Sequence, residues 1–260
     1  MTQPVILEVC VDSIESAIAA ERGGAHRVEL CGALADGGVT PSAGFIAMVR
    51  EKLAIGLHVM IRPRGSDFCY SEEEFAIMQR DILQAKQLGA EGVVFGLLDL
   101  DGKIDTRRTK QLVALAAPLK VTFHRAFDMT PDLVASLREL QTTGVGCVLT
   151  SGGQQTAIEG AATLKQLVQA VDNGIGIMAA SGIEADNVAD LLDRTGVREV
   201  HASLRSPLSS SMRYQNHRVS MGNAKGHEYH RFVVDQEKVK KLLSAATNGS
   251  ANPSPNSPKS

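Results

Sequence analysis

The sequence predicts an α/β fold, a single closed (β/α)8 barrel of the TIM type followed by a polar loop and a C-terminal helix. Three observations predict it. Eight short apolar runs are each followed by a helix-patterned stretch or a long loop, and a closed parallel barrel is the economical way to bury such an alternation. The first run ends in Val9-Cys10-Val11-Asp12-Ser13, without the GxGxxG turn of a doubly wound dinucleotide-binding sheet, so no organic cofactor is indicated. The 260 residues, 43% of them hydrophobic, supply one large core, and α/β barrels commonly reach this size.

The first strand (about 5–10) precedes a helix capped by Asp12 or Ser13 and closed at Gly23-Gly24. The second (about 26–31) leads through the glycine-rich turn 36–38 to a helix starting near Pro41-Ser42, where proline suits the first turn. The third (about 57–62) ends in Arg62-Pro63-Arg64-Gly65. Ser71 then caps a long helix ending at Gly89, and Glu72, Glu73 and Glu74 complement its dipole. The fourth (about 92–96) gives way to the turn Asp99-Leu100-Asp101-Gly102-Lys103 and a helix of about 105–116. The fifth (about 120–124) carries Thr122 and His124, with the next helix opened by Thr130-Pro131-Asp132 and ended by Gly144. The sixth (about 146–150) runs into Ser151-Gly152-Gly153 and a helix of about 156–172. The seventh (about 175–179) runs into Ala180-Ser181-Gly182-Ile183 and a helix of about 184–194, and the eighth (about 198–202) carries His201. Residues 204–232 are polar and too long for an ordinary connection, which predicts a lid or contact surface. A helix of about 235–246 closes the ring. The barrel domain thus spans 1–246, and 247–260, poor in apolar residues, predicts a disordered tail.

Composition narrows the function. A net charge of −2 offers no basic surplus or stripe for nucleic acid or an anionic membrane, and no apolar run approaches the roughly 18 residues needed to span a bilayer. The amino terminus enters a strand directly, without a signal-peptide pattern, so a cytoplasmic protein is expected. Cys10, Cys31, Cys69 and Cys147 lack CxxC spacing and are expected as free thiols in a reducing compartment.

In a parallel barrel the chemistry collects at the carboxyl ends of the strands. Side chains repeat every second residue, so Glu8 with Cys10, and Arg27 with Glu29 and Cys31, point to one face. Two neighbouring strands are then expected to hold two carboxylates and two thiols side by side, which is costly in a plain core. His58, Met60 and Arg62 follow on the third strand, His124 on the fifth, and His201 and Ser203 on the eighth. A barrel filled only for packing carries Val, Ile and Leu in such places.

Two chemistries can be built from this set. Cys10 and Cys31 as thiolates, with Met60, His58 or His201 nearby, suit Cu(I) by ligand softness. The plain alternative is inert core cysteines whose sulfurs stand at different heights in a staggered barrel. The second chemistry is catalysis on a small phosphorylated or carboxylated metabolite. Ser151-Gly152 and Ser181-Gly182 pair a hydroxyl with backbone N–H groups, Arg62 and Arg64 offer a bidentate grip, and His201 faces the same mouth. Glu8 and Glu29, if close, become an acid beside a base, with His124 as a further proton carrier. Here the plain alternative is an ion-pair network of Arg27 with Glu29 and Arg62 with Glu8.

Six blocks carry a resemblance: Glu8-Val9-Cys10-Val11-Asp12-Ser13, Arg27-Val28-Glu29-Leu30-Cys31, Met60-Ile61-Arg62-Pro63-Arg64, Phe123-His124-Arg125-Ala126-Phe127-Asp128, Thr150-Ser151-Gly152 and Ala180-Ser181-Gly182-Ile183. In this order, over about residues 4–246, the chain resembles the CutC copper-homeostasis family. The resemblance implies a TIM-type barrel, cytoplasmic and usually a homodimer or higher homo-oligomer, assigned to copper tolerance. It implies Cu(I) ligands at Cys10 and Cys31, and no role for Cys69 or Cys147.

Overall fold

The computed structural model describes residues 4–171, 174–221 and 228–249. Eight parallel strands close into a barrel: β1 (Ile6–Val11), β2 (Arg27–Leu30), β3 (Gly56–Met60), β4 (Gly92–Phe95), β5 (Lys120–Phe123), β6 (Cys147–Thr150), β7 (Gly176–Ala180) and β8 (Glu199–Ala202), with β8 paired back to β1. The intervening helices are α1 (Ile14–Arg22), α2 (Ala43–Lys52), α3 (Glu72–Gln87), α4 (Thr106–Ala116), α5 (Leu133–Gln141), α6 (Ala161–Ala170) and α7 (Val188–Thr195), and α8 (Gln236–Gly249) completes the ring. The TIM-type barrel predicted from the alternation is the fold observed.

The boundaries follow local chemistry. Ser13, Ser42, Ser71, Asp105 and Asp132 each accept a backbone N–H at the start of a helix, and Ser71 with Glu74 forms a reciprocal capping box. The sixth helix begins at Ala161 rather than near 156, because Thr156 and Glu159 are engaged with one another's backbone N–H groups in a turn. The last helix continues to Gly249, past the expected stop at 246. Of the tail expected over 247–260, residues 247–249 belong to this helix and 250–260 lie outside the described residues.

Strand alternation sorts the side chains. Leu7, Val9, Val11, Val28, Leu30, Leu57 and Val59 face outward into one continuous apolar layer beneath the helices. The inward positions hold Glu8, Cys10, Glu29, Cys31, His58, Met60, Thr122 and Leu149, all buried. The core therefore lies between barrel and helices, while the barrel interior is polar and soft.

The polar stretch after β8, expected as a lid or contact surface, contributes an antiparallel strand pair, β9 (Arg205–Ser209) with β10 (His230–Val234), and its residues 222–227 lie outside the described residues. It docks on the start of α1: Val234 N–H donates to Ser16 Oγ at 3.1 Å and Arg231 pairs with Glu15 at 2.7 Å. Its first strand carries Arg205 to the barrel mouth.

Candidate functional site

Register places the interior groups. Residue 8 of β1 stands beside Arg27 of β2, and Cys10 stands beside Glu29. The two Glu-x-Cys lines are therefore offset by two residues, so neither Glu8 with Glu29 nor Cys10 with Cys31 are register partners as the pattern predicted, although the two carboxylates still converge on His201. Barrel closure requires this stagger, and no single strand's sequence encodes it. Cys31, whose N–H donates to Val11 O, sits one interior layer closer to the mouth than Cys10.

Beneath the mouth runs a polar column. Arg27 Nε donates to Glu8 Oε2 at 2.6 Å and its Nη2 to Glu199 Oε2 at 2.5 Å. His201 Nδ1 lies 2.7 Å from Glu8 Oε1, and His58 Nδ1 approaches Glu8 Oε2 at 3.4 Å. This corrects the expected network: Arg27 serves Glu8 and Glu199 rather than Glu29, and Arg62 does not reach Glu8. Glu199 escaped the sequence reading although Glu199-x-His201 repeats the period-two signal of β1. Burial works against the Glu8 charge, yet His201, His58 and Arg27 outweigh it and hold the carboxyl well below its usual range. Glu29 is driven the other way, chiefly by burial. Burial also disfavours an imidazolium at His201, but Glu29, Cys10 and Glu8 overcome it and raise His201 well above an ordinary histidine. Glu8, Glu29 and His201 offer donor atoms all within 4.8 Å of one another.

The mouth itself is a cavity of about 240 Å3 lined by Cys10, Glu29, Met60, Arg62, His124 and His201 among others. Cys31 lies under its wall, packed against Met60 and Val94, with its thiol 3.5 Å from Glu29 Oε2. Burial, reinforced by Glu29, pushes the Cys31 thiol well above its usual value. Cys147 belongs to a separate interior cluster with Leu149 and Met178, and Cys69 sits on the loop after β3.

His58 and His124 fit because a glycine stands opposite each, Gly92 on β4 and Gly96 just beyond it. A Cβ at Gly92 would stand 2.5 Å from the His58 ring, and one at Gly96 would stand 2.5 Å from the His124 ring. His124 Nδ1 accepts the Ala126 N–H at 3.2 Å, and the ring packs on Phe68. Burial, aided by Arg62, lowers the His124 pKa to about 3. An unfolded histidine takes up a proton below about pH 6.5, whereas His124 does so only near 3, so this group's contribution is present above 6.5 and lost as pH falls through that window. Urea unfolding between pH 6.5 and 4 is expected to lose about 1.4 kcal/mol per pH unit from this group. A His124→Asn variant should show a correspondingly flatter profile, and equal slopes would refute a neutral buried His124.

The expected anion grips divide. Arg62 is buried at the mouth, its Nη atoms donating to Asp36 O, Gly38 O and Ser66 O while the guanidinium stacks 4.9 Å over Phe68. Arg64 turns away, paired with Glu74 and Asp67, and staples the following loop to α3 instead of facing a ligand. Ser151 and Gly152 do form a nest after β6, but the chain fills it. Asp128 accepts from Ser151 N, Ser151 Oγ and Gly153 N, while Gly152 N donates to Thr150 Oγ1. An internal carboxylate thus occupies the place expected for an external anion. Ser181 and Gly182 turn the β7 loop through left-handed backbone (φ 81° and 66°) and line a second cavity that shares Cys10, Arg125, Leu149 and His201 with the first.

A family model described as the CutC family matches residues 5–206. The chain belongs to the CutC family. The copper homeostasis protein cutC homolog of Mus musculus is 48% identical over 93% of this chain and 89% of its own length, and the Homo sapiens homolog is 46% identical over 94% and 89%. The crystal structure of CutC from Streptococcus agalactiae matches with a TM-score of 0.73 at 35% identity, over 76% of this chain and 97% of that one. A thiamine phosphate pyrophosphorylase from Pyrococcus furiosus, 15% identical with a TM-score of 0.57 over 94% of this chain and 96% of its own, shares the barrel alone. This CutC chain therefore has a copper-homeostasis family assignment and a TIM-type barrel. Among its described residues no helix is long and apolar enough to cross a membrane.

Proposed function

We propose that this CutC chain binds Cu(I) as cargo at the barrel mouth, through the thiolates of Cys10 and Cys31. One observation carries the reading: Cys10 on β1 and Cys31 just beyond β2 stand on neighbouring segments one interior layer apart, and Cys31 packs directly against the Met60 thioether. Two thiolates and a thioether form a soft donor set, which favours Cu(I) over hard divalent ions. The carboxylates of Glu8 and Glu29 are poor Cu(I) donors, and their part here is to hold His201 and the two strands in place.

Cys31 is held as a thiol, so metal entry must expel its proton. Competition titration with a Cu(I)-specific chelator under reducing conditions is expected to give tight 1:1 binding that strengthens about tenfold per pH unit between pH 6 and 8 for each proton released. A Cys10→Ser, Cys31→Ser double variant should lose the site. Unchanged affinity in that variant would sink the proposal.

The same reading places the protein in the cytoplasm, where a reducing milieu keeps its four cysteines unpaired. It also makes the working form a homodimer or higher homo-oligomer, for which the exposed Met212, Tyr214 and Phe232 of the segment after β8 are the apolar surface. Light scattering at micromolar concentration reads that state directly.

A further inference from the structure

We propose that the barrel mouth binds a second ligand, a small organic oxyanion, gripped by the Nε2–H of His124 and the guanidinium of Arg62. Neither contact uses Cys10 or Cys31, so the inference stands apart from the copper reading.

Two buried groups carry it. His124 is 4% exposed; its Nδ1 accepts the Ala126 N–H, which leaves the ring proton on Nε2, and that atom has no partner. Arg62 is 6% exposed, its Nη atoms donate to the carbonyl oxygens of Asp36, Gly38 and Ser66, the Tyr70 hydroxyl lies beside its guanidinium, and among the described residues no carboxylate pairs with it. A buried cation without an acidic partner and a buried donor without an acceptor are each costly unless something answers them. Both groups line the same cavity, and both contact Phe68, which sets them side by side.

The cavity's remaining walls define what fits. Arg125 and Arg205 also reach it, but Asp128 pairs with the first at 2.8 Å and Asp12 with the second at 3.6 Å, so among the described residues Arg62 is the lining arginine left for an anion. Leu34, Met60, Phe68 and Leu149 supply apolar walls for a short carbon frame. At about 240 Å3 the space falls below the ~300 Å3 of a site for drug-sized ligands and admits a molecule of metabolite size. The adjoining cavity reaches Ser181 and Gly182, so a longer ligand extends toward the β7 loop rather than toward β6, where Asp128 already fills the nest.

The test uses metal-free full-length protein, with histidine ring nitrogens followed by NMR during separate titrations with inorganic phosphate and acetate. At least one of the two is expected to shift the His124 Nε2 resonance saturably. A phosphate response marks a phosphoryl group and an acetate response a carboxylate. By calorimetry, His124→Phe should weaken binding of the responding anion about tenfold or more, the loss of one hydrogen bond to a charged group. No saturable shift with either anion at millimolar concentration overturns the proposal, as does unchanged affinity in His124→Phe. Should that variant fail to fold, the wild-type titration decides alone. Cu(I) affinity is measured separately, so failure here leaves the copper reading standing.

Discussion

Replacing Glu8 by alanine is expected to destabilise the protein by about 3–5 kcal/mol, the cost of leaving buried charges without their partner. Glu8 is fully buried and holds Arg27 at 2.6 Å and His201 at 2.7 Å. These residues belong to β1, β2 and β8, so a single carboxylate joins three walls of the barrel across its closing seam. Urea denaturation checks the magnitude, and a loss below about 1 kcal/mol would show that the column is dispensable. Glu8→Leu combined with Arg27→Met should lose less than Glu8→Ala, because both ends of the pair become apolar together.

The pH dependence follows from the same column. Glu8 is depressed on folding, so its contribution is present above its unfolded value of 4.5 and is lost as pH falls through the folded one. His201 is raised, so its contribution is present below 6.5 and is lost as pH rises through the elevated value. Between 4.5 and 6.5 the two act together, and the Glu8→Ala penalty should be largest there.

The second large effect is expected at Gly160, ahead of α6. A Cβ at this position would stand 1.8 Å from the carbonyl oxygen of Ser151, a backbone atom that no rotamer change can move. Gly160→Ala should therefore reach or pass the ~3 kcal/mol upper range of ordinary overpacking. Because Ser151 also supports the Asp128 nest, the variant should loosen the β6 loop first, visible as faster amide exchange at Ser151 and Gly153. Wild-type stability and exchange in Gly160→Ala would mean that the close approach of these two loops is wrong.

How much of this was legible in the sequence differs from residue to residue. Period-two alternation marked Glu8, Cys10, Arg27, Glu29, His58, Met60, Arg62, His124 and His201 as inward positions, because which face a side chain takes is a local property of a strand. Caps at Ser42, Ser71 and Asp132 were equally local, each satisfying a nearby orphaned N–H group. Asp128 was visible just beyond His124, but not its reach into the turn after β6, which spans more than twenty residues of chain. Arg64 carries the same charge as Arg62 two residues earlier, and only the placement of Glu74 on α3 turned it away from the mouth.

By itself the sequence determined the barrel, the inward-facing set and the family, since each depends on patterns along one strand or helix. Only the tertiary structure decided which inward groups meet: Glu8 beside Arg27, Cys10 beside Glu29, and Cys31 one layer nearer the mouth. The physical reason is the stagger that closes eight tilted strands into a ring, a property of the whole circuit that no strand carries alone.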